Sequence, residues 1–368
     1  MAPGLSENGE QLFHRFWVLK LAPTLVISTI MSRSNQHLVI WLSTVCAVIF
    51  MMIIVGGLTR LTQSGLSMVD WRPIMGIIPP ISSSEWKDAF DAYKSYPEYQ
   101  KINMGMTLPE FKTIFYWEYG HRVIGRVIGL IFFLPFVIFL LMGKIKKRWV
   151  LPLWFALFLG GLQGLMGWYM VKSGLVDVPH VSHYRLAAHL SLALIIVVYL
   201  FWLMLDMLCV ERQKVPGGIR VGAISLAVLL SIQFVFGAFT AGLDAGRGFN
   251  TWPLMHGQLL ADAGVTIKPL WLNLFENGVM IQFVHRWMGA LLVLGIIGFY
   301  LLALRQGVLR QSAMVLLAVT SLQFLLGVLT LLHAVPVFLA SLHQGIACLL
   351  VLVLTYIIYV TRIDESQM

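Results

Sequence analysis

Eight long apolar stretches, separated by polar or charged segments, dominate the pattern of the chain. They cover roughly residues 38–58, 120–142, 149–170, 186–208, 219–240, 283–304, 311–332 and 337–360. Each holds about 20 mostly apolar residues, which is the length a helix needs to cross the hydrocarbon core of a bilayer. Backbone amides inside a membrane must bond within their own segment, so the pattern predicts eight transmembrane helices and an all-α integral membrane fold.

Composition and charge agree with a membrane protein. Only 12% of the residues are charged, against about 25% in a typical soluble protein. The formal charge of +9 does not indicate a nucleic-acid partner, because the chain has no basic, polar domain. The basic excess lies in short loops, such as 143–148 with four basic residues and no acid.

The basic loops predict the orientation of the chain. Since basic loops stay inside, both termini are predicted to be cytoplasmic, and the long loops 59–119 and 241–282 face the other side. The first 37 residues have no clean cleavage site. We interpret them as an N-terminal extension and favour a bacterial inner membrane over the mitochondrial one.

The chain contains an internal duplication. Three pairs of segments match: Gln163–Gly167 with Gln323–Gly327, "HRVIGRVIGL" with "HRWMGALLVL", and "LAAHLSLAL" with "LASLHQGIA", at offsets of 160, 164 and 154 residues. Each half then has four helices with a long outer loop between its first two. This predicts two tandem, pseudo-symmetric four-helix bundles, residues 38–210 and 211–368, after the extension 1–37.

Four histidines occupy similar places in these repeats, each near the start of a helix that runs inward from the outer face: His121, His189, His285 and His343. Two imidazoles on facing helices can hold a haem iron. Any single one could instead be a hydrogen-bonded packing residue. A zinc site is less natural, since only one acid and no cysteine lie beside them. Four more, His180, His183, His256 and His333, are interpreted as solvated or loop-structural.

The two halves differ at one informative position. Glu118 precedes His121 by three residues, whereas the aligned residue before His285 is Gln282. A carboxylate can exchange a proton or orient water, and glutamine cannot. We therefore expect the first half to carry out chemistry and the second to hold an electron-transfer or structural cofactor. The alternative is that Glu118 is an interfacial acid stabilised at a helix N-terminus.

Several arginines lie close to these positions: Arg60, Arg122, Arg126 and Arg286. Guanidinium groups bind carboxylates well, so these residues are candidates to pair with haem propionates. The competing interpretation is that they anchor the helices at the membrane interface. The outer loop 59–119 is rich in aromatic residues and prolines and is long enough to cover the first bundle.

Together these motifs resemble those of the haem A synthases, in the branch shared by alphaproteobacteria and mitochondria. The resemblance covers about residues 38–360. It rests on "VGGLTRLTQSGLSMVDWRPIMGIIPP", "FYWEYGHRVIGRVIG", "YRLAAHLSLAL", "GAFTAGLDAGRGFNTWPLM", "VHRWMG" and "SLHQG". The chain departs from some bacterial members in having no paired cysteines in its outer loops, so a mechanism that needs a loop disulfide is in doubt for it.

The resemblance implies an oxidoreductase that converts a ring methyl of haem O to a formyl, through hydroxylated intermediates, giving haem A for cytochrome oxidase. By position, His121 and His189 would serve the haem O/haem A site and Glu118 would be its essential acid. His285 and His343 would ligate haem B. A haem O synthase is the candidate supplier of substrate, a membrane component the electron acceptor, and a homo-oligomer is compatible with the sequence.

Two other functions use the same residues. A dihaem quinol oxidoreductase or electron-transfer protein would share the bis-histidine sites. It needs haems near both membrane faces, however, and all four histidines are predicted near one. A haem transporter would be favoured by an inverted repeat, whereas these halves repeat in parallel. The sequence leaves the electron acceptor and the oxygen source open.

Overall fold

The computed structural model describes residues 35–69, 78–174 and 181–363. Most of the predicted N-terminal extension, residues 1–34, lies outside the described residues, and so does His180.

Eight helices in this part of the chain are long and apolar enough to cross a membrane, which confirms the predicted all-α membrane fold. They are α1 (Gln36–Leu61), α2 (Leu108–Leu141), α3 (Lys147–Gly174), α4 (His183–Met207), α5 (Gly217–Gly242), α6 (Gly278–Gln306), α7 (Arg310–Leu332) and α8 (Val337–Val360). Seven of them begin within five residues of their predicted starts.

The helix α2 begins at Leu108, twelve residues before its predicted start. Thr107 caps it, since its backbone N–H and its hydroxyl both donate to the Glu110 carboxylate at 2.7 Å. Glu118 and His121 therefore lie well inside the helix. The prediction that His121 occupies the first turn or two is wrong, and so is the alternative that Glu118 is an acid at a helix N-terminus.

The additional turns of α2 pack against the outer loop. A helix at Ser83–Lys94, closed by a capping box at Ser82, and a short helix at Pro97–Lys101 follow the first span. Aromatic side chains from the loop and from α2 form one buried cluster: Trp86, Phe90, Tyr93, Phe111 and Phe115. This cluster holds the loop over the outer end of α2.

In both halves the first helix packs on the second, and the third packs on the fourth. These contacts join α1 to α2 and α3 to α4 in the first half, and α5 to α6 and α7 to α8 in the second. The halves differ in that α1 also packs extensively on α4, whereas α6 packs extensively on α7. One apolar core is built almost entirely from α1–α4 and another from α5–α8. The halves meet through α1, α4, α5 and α8, where α4 contacts α5 and α8 contacts α1.

Candidate functional site

Each of the four predicted histidines packs against a glycine on the preceding spanning helix. A Cβ added to that glycine would lie 2.8–3.2 Å from the imidazole Cε1. The pairs are His121 with Gly56, His189 with Gly167, His285 with Gly237 and His343 with Gly327. Real Cβ atoms essentially never approach a ring carbon below 3.0 Å, and contacts of 3.0–3.2 Å are unusually tight, because such contacts are optimal near about 3.5–4.0 Å. Each imidazole therefore lies directly against a helix backbone.

The structure brings His285 and His343 together in the second half. Their ring centroids are 6.5 Å apart and the planes cross at 84°. With a metal–nitrogen bond of about 2 Å, two imidazoles on opposite sides of one metal ion would place their centroids about 6 Å apart. The spacing of this pair therefore fits a single iron between the two rings.

Hydrogen bonds orient the His343 ring for such a role. Its Nδ1 lies 3.1 Å from the Gln323 carbonyl, to which it can donate, and its Nε2 lies 3.3 Å from the Gln323 side-chain Nε2. A metal bound at Nε2 would replace this amide contact. On the opposite helix, Gln233 Nε2 donates to the His285 carbonyl at 2.9 Å. The Nδ1 of His285 is buried and has no hydrogen-bond partner among the described residues. These donors and acceptors fit the haem that the sequence motifs imply.

The glutamine contact of His343 recurs at His189 in the first half. Gln163 Nε2 donates to the His189 carbonyl at 3.1 Å and lies 3.4 Å from His189 Nε2. In three of the four sites a glutamine precedes the paired glycine by four residues, as in Gln163 and Gly167. At the His121 site that position is Met52. The Nδ1 atoms of His121 and His189 are buried and have no hydrogen-bond partner in the described part of the chain.

Glu118 is buried and ties α2 to the segment that follows α1. Its exposed fraction is only 3%. Its carboxylate accepts hydrogen bonds from Ser67 Oγ at 2.8 Å and Met68 N at 2.7 Å, and it pairs with Arg122. Arg122 also donates to the Met68 carbonyl at 2.9 Å. We call this set of contacts the first clasp.

Gln282 forms an equivalent clasp in the second half, with the opposite polarity. Its Nε2 donates to the carbonyls of Ala245 at 2.9 Å and Gly248 at 2.8 Å. Its Oε1 accepts from Arg286 at 3.1 Å, and Arg286 also donates to the carbonyls of Phe249 and Thr251. We call this set the second clasp. It joins α6 to the loop after α5 as the first clasp joins α2 to the loop after α1.

The predicted arginines contact protein groups in this structure. Arg60 forms an ion pair with Asp244 at 2.9 Å and donates to the Ala241 carbonyl at 2.7 Å, which links α1 to the end of α5. Arg122 and Arg286 take part in the clasps described above. Their pairing with haem propionates, and that of Arg60 and Arg126, stays a prediction.

The loop histidines separate into two kinds. His183 is buried rather than solvated, and its Nε2 lies 2.8 Å from the Phe275 carbonyl, so it connects α4 to the second outer loop. His256 and His333 are exposed, with His256 beside Phe249 at a centroid distance of 5.1 Å. None of the described ones joins the two histidine pairs.

A buried acid in the outer loop was not anticipated from the sequence. Glu98 accepts a hydrogen bond from the Tyr93 hydroxyl at 3.1 Å, and Asn103 Nδ2 donates to the same hydroxyl at 2.7 Å. Burial raises the pKa of Glu98 to about 8, and the nearby charge of Glu118 adds to the shift. The first half therefore contains a second carboxyl group within electrostatic range of Glu118.

Comparison with known proteins agrees with these features. A family model described as "Cytochrome oxidase assembly protein" (COX15-CtaA) matches residues 39–355. A protein of Azorhizobium caulinodans named "Heme A synthase" is 47% identical over 318 residues, which are 85% of this chain and 90% of the relative. Proteins of the same name from Parvibaculum lavamentivorans (43% identical; 85% and 91% covered) and Nitrosospira multiformis (44%; 88% and 94%) are also similar. The chain therefore belongs to the haem A synthase family.

Proposed function

We propose that this chain makes haem A by oxidising a ring methyl of haem O to a formyl, through hydroxylated intermediates. The first bundle, residues 38–210, would bind the substrate haem and the second, residues 211–368, would hold haem B. The observation that carries this proposal is the repeated histidine pair, of which only the first has a carboxylate nearby. The family membership supplies the substrate and product.

Each histidine pair is proposed to ligate one iron. His285 and His343 would hold haem B, which supplies one-electron chemistry when bound. Their centroid distance of 6.5 Å and the bond between His343 Nδ1 and the Gln323 carbonyl support this assignment. His121 and His189 would hold the substrate haem, with each ring set against its glycine so that a flat macrocycle has room beside it.

Glu118 is proposed as the group that manages protons in the first bundle. Oxidation of a methyl group releases protons, and a carboxylate near the reacting carbon can accept them. Its bonds to Ser67 Oγ and Met68 N are strongest when it is ionised. Taking up a proton would therefore weaken the first clasp, so proton transfer would be coupled to the segment after α1.

The setting of the reaction follows from family and topology. We propose the inner membrane of a bacterium, with both termini in the cytoplasm and the histidine pairs near the outer face. Haem O would come from a haem O synthase, and a membrane component would accept the electrons. The chain would work alone or as a homo-oligomer.

Haem extracts of membranes test the proposal. Cells that produce this chain together with a source of haem O should contain haem A or its hydroxylated intermediate, and cells without the chain should not. Glu118→Ala should abolish the product, because it removes the carboxylate and breaks the first clasp. Asp88→Ala, which removes an exposed acid of the same outer loop, is the matched control and should leave the product unchanged. Haem B as the only haem in the wild-type extracts, with no haem A or hydroxylated intermediate, would instead indicate an electron-transfer protein.

A further inference from the structure

We infer that the isoprenoid chain of haem O lies in an opening between α2 and α3, and that the substrate enters the first bundle there from the membrane. The inference rests on the proposed function for the identity of the substrate. Haem O differs from haem B in carrying a long farnesyl-derived chain, and such a chain needs an apolar channel that leads away from the ring. The two halves of the protein differ at the corresponding helix boundary, which is open in the first half and filled by side chains in the second.

Glycines leave the boundary between α2 and α3 open. A Cβ built on each of four of them meets no heavy atom of the described residues within 4 Å, and all four are exposed: Gly129, Gly160, Gly161 and Gly164. The repeat offsets align them with Val293, Thr320, Ser321 and Phe324 of the second half. Every one of these positions therefore carries a side chain in the second half and none in the first.

The second half closes the corresponding boundary with aromatic rings. Phe324 on α7 meets Trp252 of the outer loop edge to face at 5.5 Å, and Trp252 lies 6.3 Å from Trp287 on α6. We call these three residues the aromatic plug. The repeat aligns Phe324 with Gly164 and Trp287 with Val123. Trp252 aligns with Trp71, which lies outside the described residues.

Helix packing shows the same difference between the halves. The helix α2 packs on α3 much less extensively than α6 packs on α7. Of the eight spanning helices, α2 is the least buried, since only 11% of its most apolar stretch lies inside the protein. Near the inner end the two helices do touch, where Phe136 and Trp154 lie 5.0 Å apart. The opening is therefore confined to the part of the boundary nearer the histidines.

The opening reaches the first histidine pair. Gly164 follows Gln163, which donates to the His189 carbonyl, and Gly167 faces the His189 ring one turn further on. The Nδ1 of His189 and the Oε1 of Gln163 are buried and have no hydrogen-bond partner in the described part of the chain. These polar atoms mark where the haem ring would be held, at the end of the opening that adjoins His189.

The same stretch of α3 carries an apolar groove on its surface. It has a volume of about 280 Å³ and is lined by Leu162, Leu165, Met166, Trp168 and Tyr169. Leu162, Leu165 and Tyr169 are exposed. An isoprenoid chain that left the opening would lie against apolar side chains on this surface. Because lipid tails are as apolar as these side chains, the fit of the chain would depend on space and shape.

Transplanting the aromatic plug tests this inference. Gly164→Phe and Val123→Trp, singly and together, introduce two of its side chains between α2 and α3. The purified chain, with haem B already in the second bundle, is titrated with haem O and with further haem B, which lacks the isoprenoid chain. The plugged variants should bind haem O at least about tenfold more weakly, because the introduced rings take up the space that the isoprenoid chain needs. Binding of added haem B should change less than about twofold.

A matched control and a test of folding separate the outcomes. Leu151→Phe adds a ring to a lipid-facing position of α3, 77% exposed, and should bind haem O as the wild type does. A single elution peak and a wild-type melting temperature report that each variant is folded, and Gly164→Leu offers a smaller obstruction if Gly164→Phe does not fold. Unchanged haem O affinity in a folded plugged variant would overturn the inference, and so would an equal loss for both haems. A wild type that binds haem O through its chain but makes no haem A would overturn only the proposed function.

Discussion

Replacing Gly327 by alanine tests how closely the His343 imidazole is held against α7. The new Cβ would lie 2.8 Å from Cε1 and 3.3 Å from Nδ1 of His343. Because carbon atoms pack at about 3.5 Å or more, the ring or the helix must move by about 0.7 Å. That movement stretches the 3.1 Å contact between His343 Nδ1 and the Gln323 carbonyl. Overpacking of this kind costs about 1–3 kcal/mol.

Helix propensity opposes part of that cost. Alanine is about 0.5–1 kcal/mol more favourable than glycine inside a helix. The expected net loss of stability is therefore about 0–2.5 kcal/mol. Gly298→Ala is the matched control, because it gains the same propensity while its Cβ meets no described atom within 4 Å. The two variants should differ by about 1–3 kcal/mol, in favour of the control.

Thermal unfolding in detergent and the absorption spectrum of the bound haem measure this difference. Gly327→Ala should melt below Gly298→Ala and should retain less haem in the second bundle, with a spectrum that shows weakened axial ligation. The reasoning would be refuted if both variants had the same melting temperature, haem content and spectrum. In that case the contact between Gly327 and the ring would not constrain His343.

Two further predictions concern Glu98 in the outer loop and Gln233 on α5. Burial raises the pKa of Glu98 from 4.5 to about 8, so the stability that its protonated form contributes is complete below about pH 4.5 and is lost as the pH rises towards 8. Between about pH 5 and 8, the melting temperature of Glu98→Gln should therefore fall less than that of the wild type. Equal falls in melting temperature would show that Glu98 does not titrate in this range. Gln233→Leu removes the 2.9 Å hydrogen bond to the His285 carbonyl, so it should lower the free energy of unfolding by about 0.5–1.5 kcal/mol and reduce the haem retained in the second bundle. Met52→Leu, at the equivalent position of the first half, is the control and should leave haem retention in the second bundle unchanged.

The hydropathy pattern was sufficient to predict the eight spanning helices, because a bilayer sets both their length and their polarity. It could not locate the start of α2. The turns from Leu108 to Tyr119 lie beside the polar outer loop, so they contain charged residues and do not register as membrane helix. The N-cap pair of Thr107 and Glu110, with Pro109 between them in the first turn, was the available signal for the true start.

The histidines of the candidate site could be predicted from the repeat, but their glycine partners could not all be identified. Gly167 and Gly327 lie in the repeated Gln-x-x-x-Gly segments, and the same spacing recurs at Gln233 and Gly237. Gly56 has no such marker, because methionine stands at the corresponding glutamine position. Which glycine faces which ring depends on the rotation and depth of packed helices, and a sequence pattern does not specify those.

The contacts of the charged residues could not all be predicted from the sequence. Arg60 was a candidate for haem propionates, but it reaches Asp244 across the boundary between the halves. Arg122 and Arg286 were candidates as well, because they lie close to the predicted histidines. Each pairs with the side chain four residues earlier, Glu118 or Gln282, and the sequence shows that spacing. Each also donates to backbone carbonyls, which every sequence supplies equally, so no residue pattern indicates those contacts.

The opposite polarity of the two clasps constrains how the duplicated halves can be recombined. On α2 the carboxylate of Glu118 requires backbone and hydroxyl donors, whereas on α6 the amide nitrogen of Gln282 requires carbonyl acceptors. A chimera that moved only the outer loop of one half onto the helix of the other would set donor against donor or acceptor against acceptor. Each outer loop must therefore be exchanged together with the helix that it contacts. After the duplication the two copies could diverge only by changing an outer loop and its helix together.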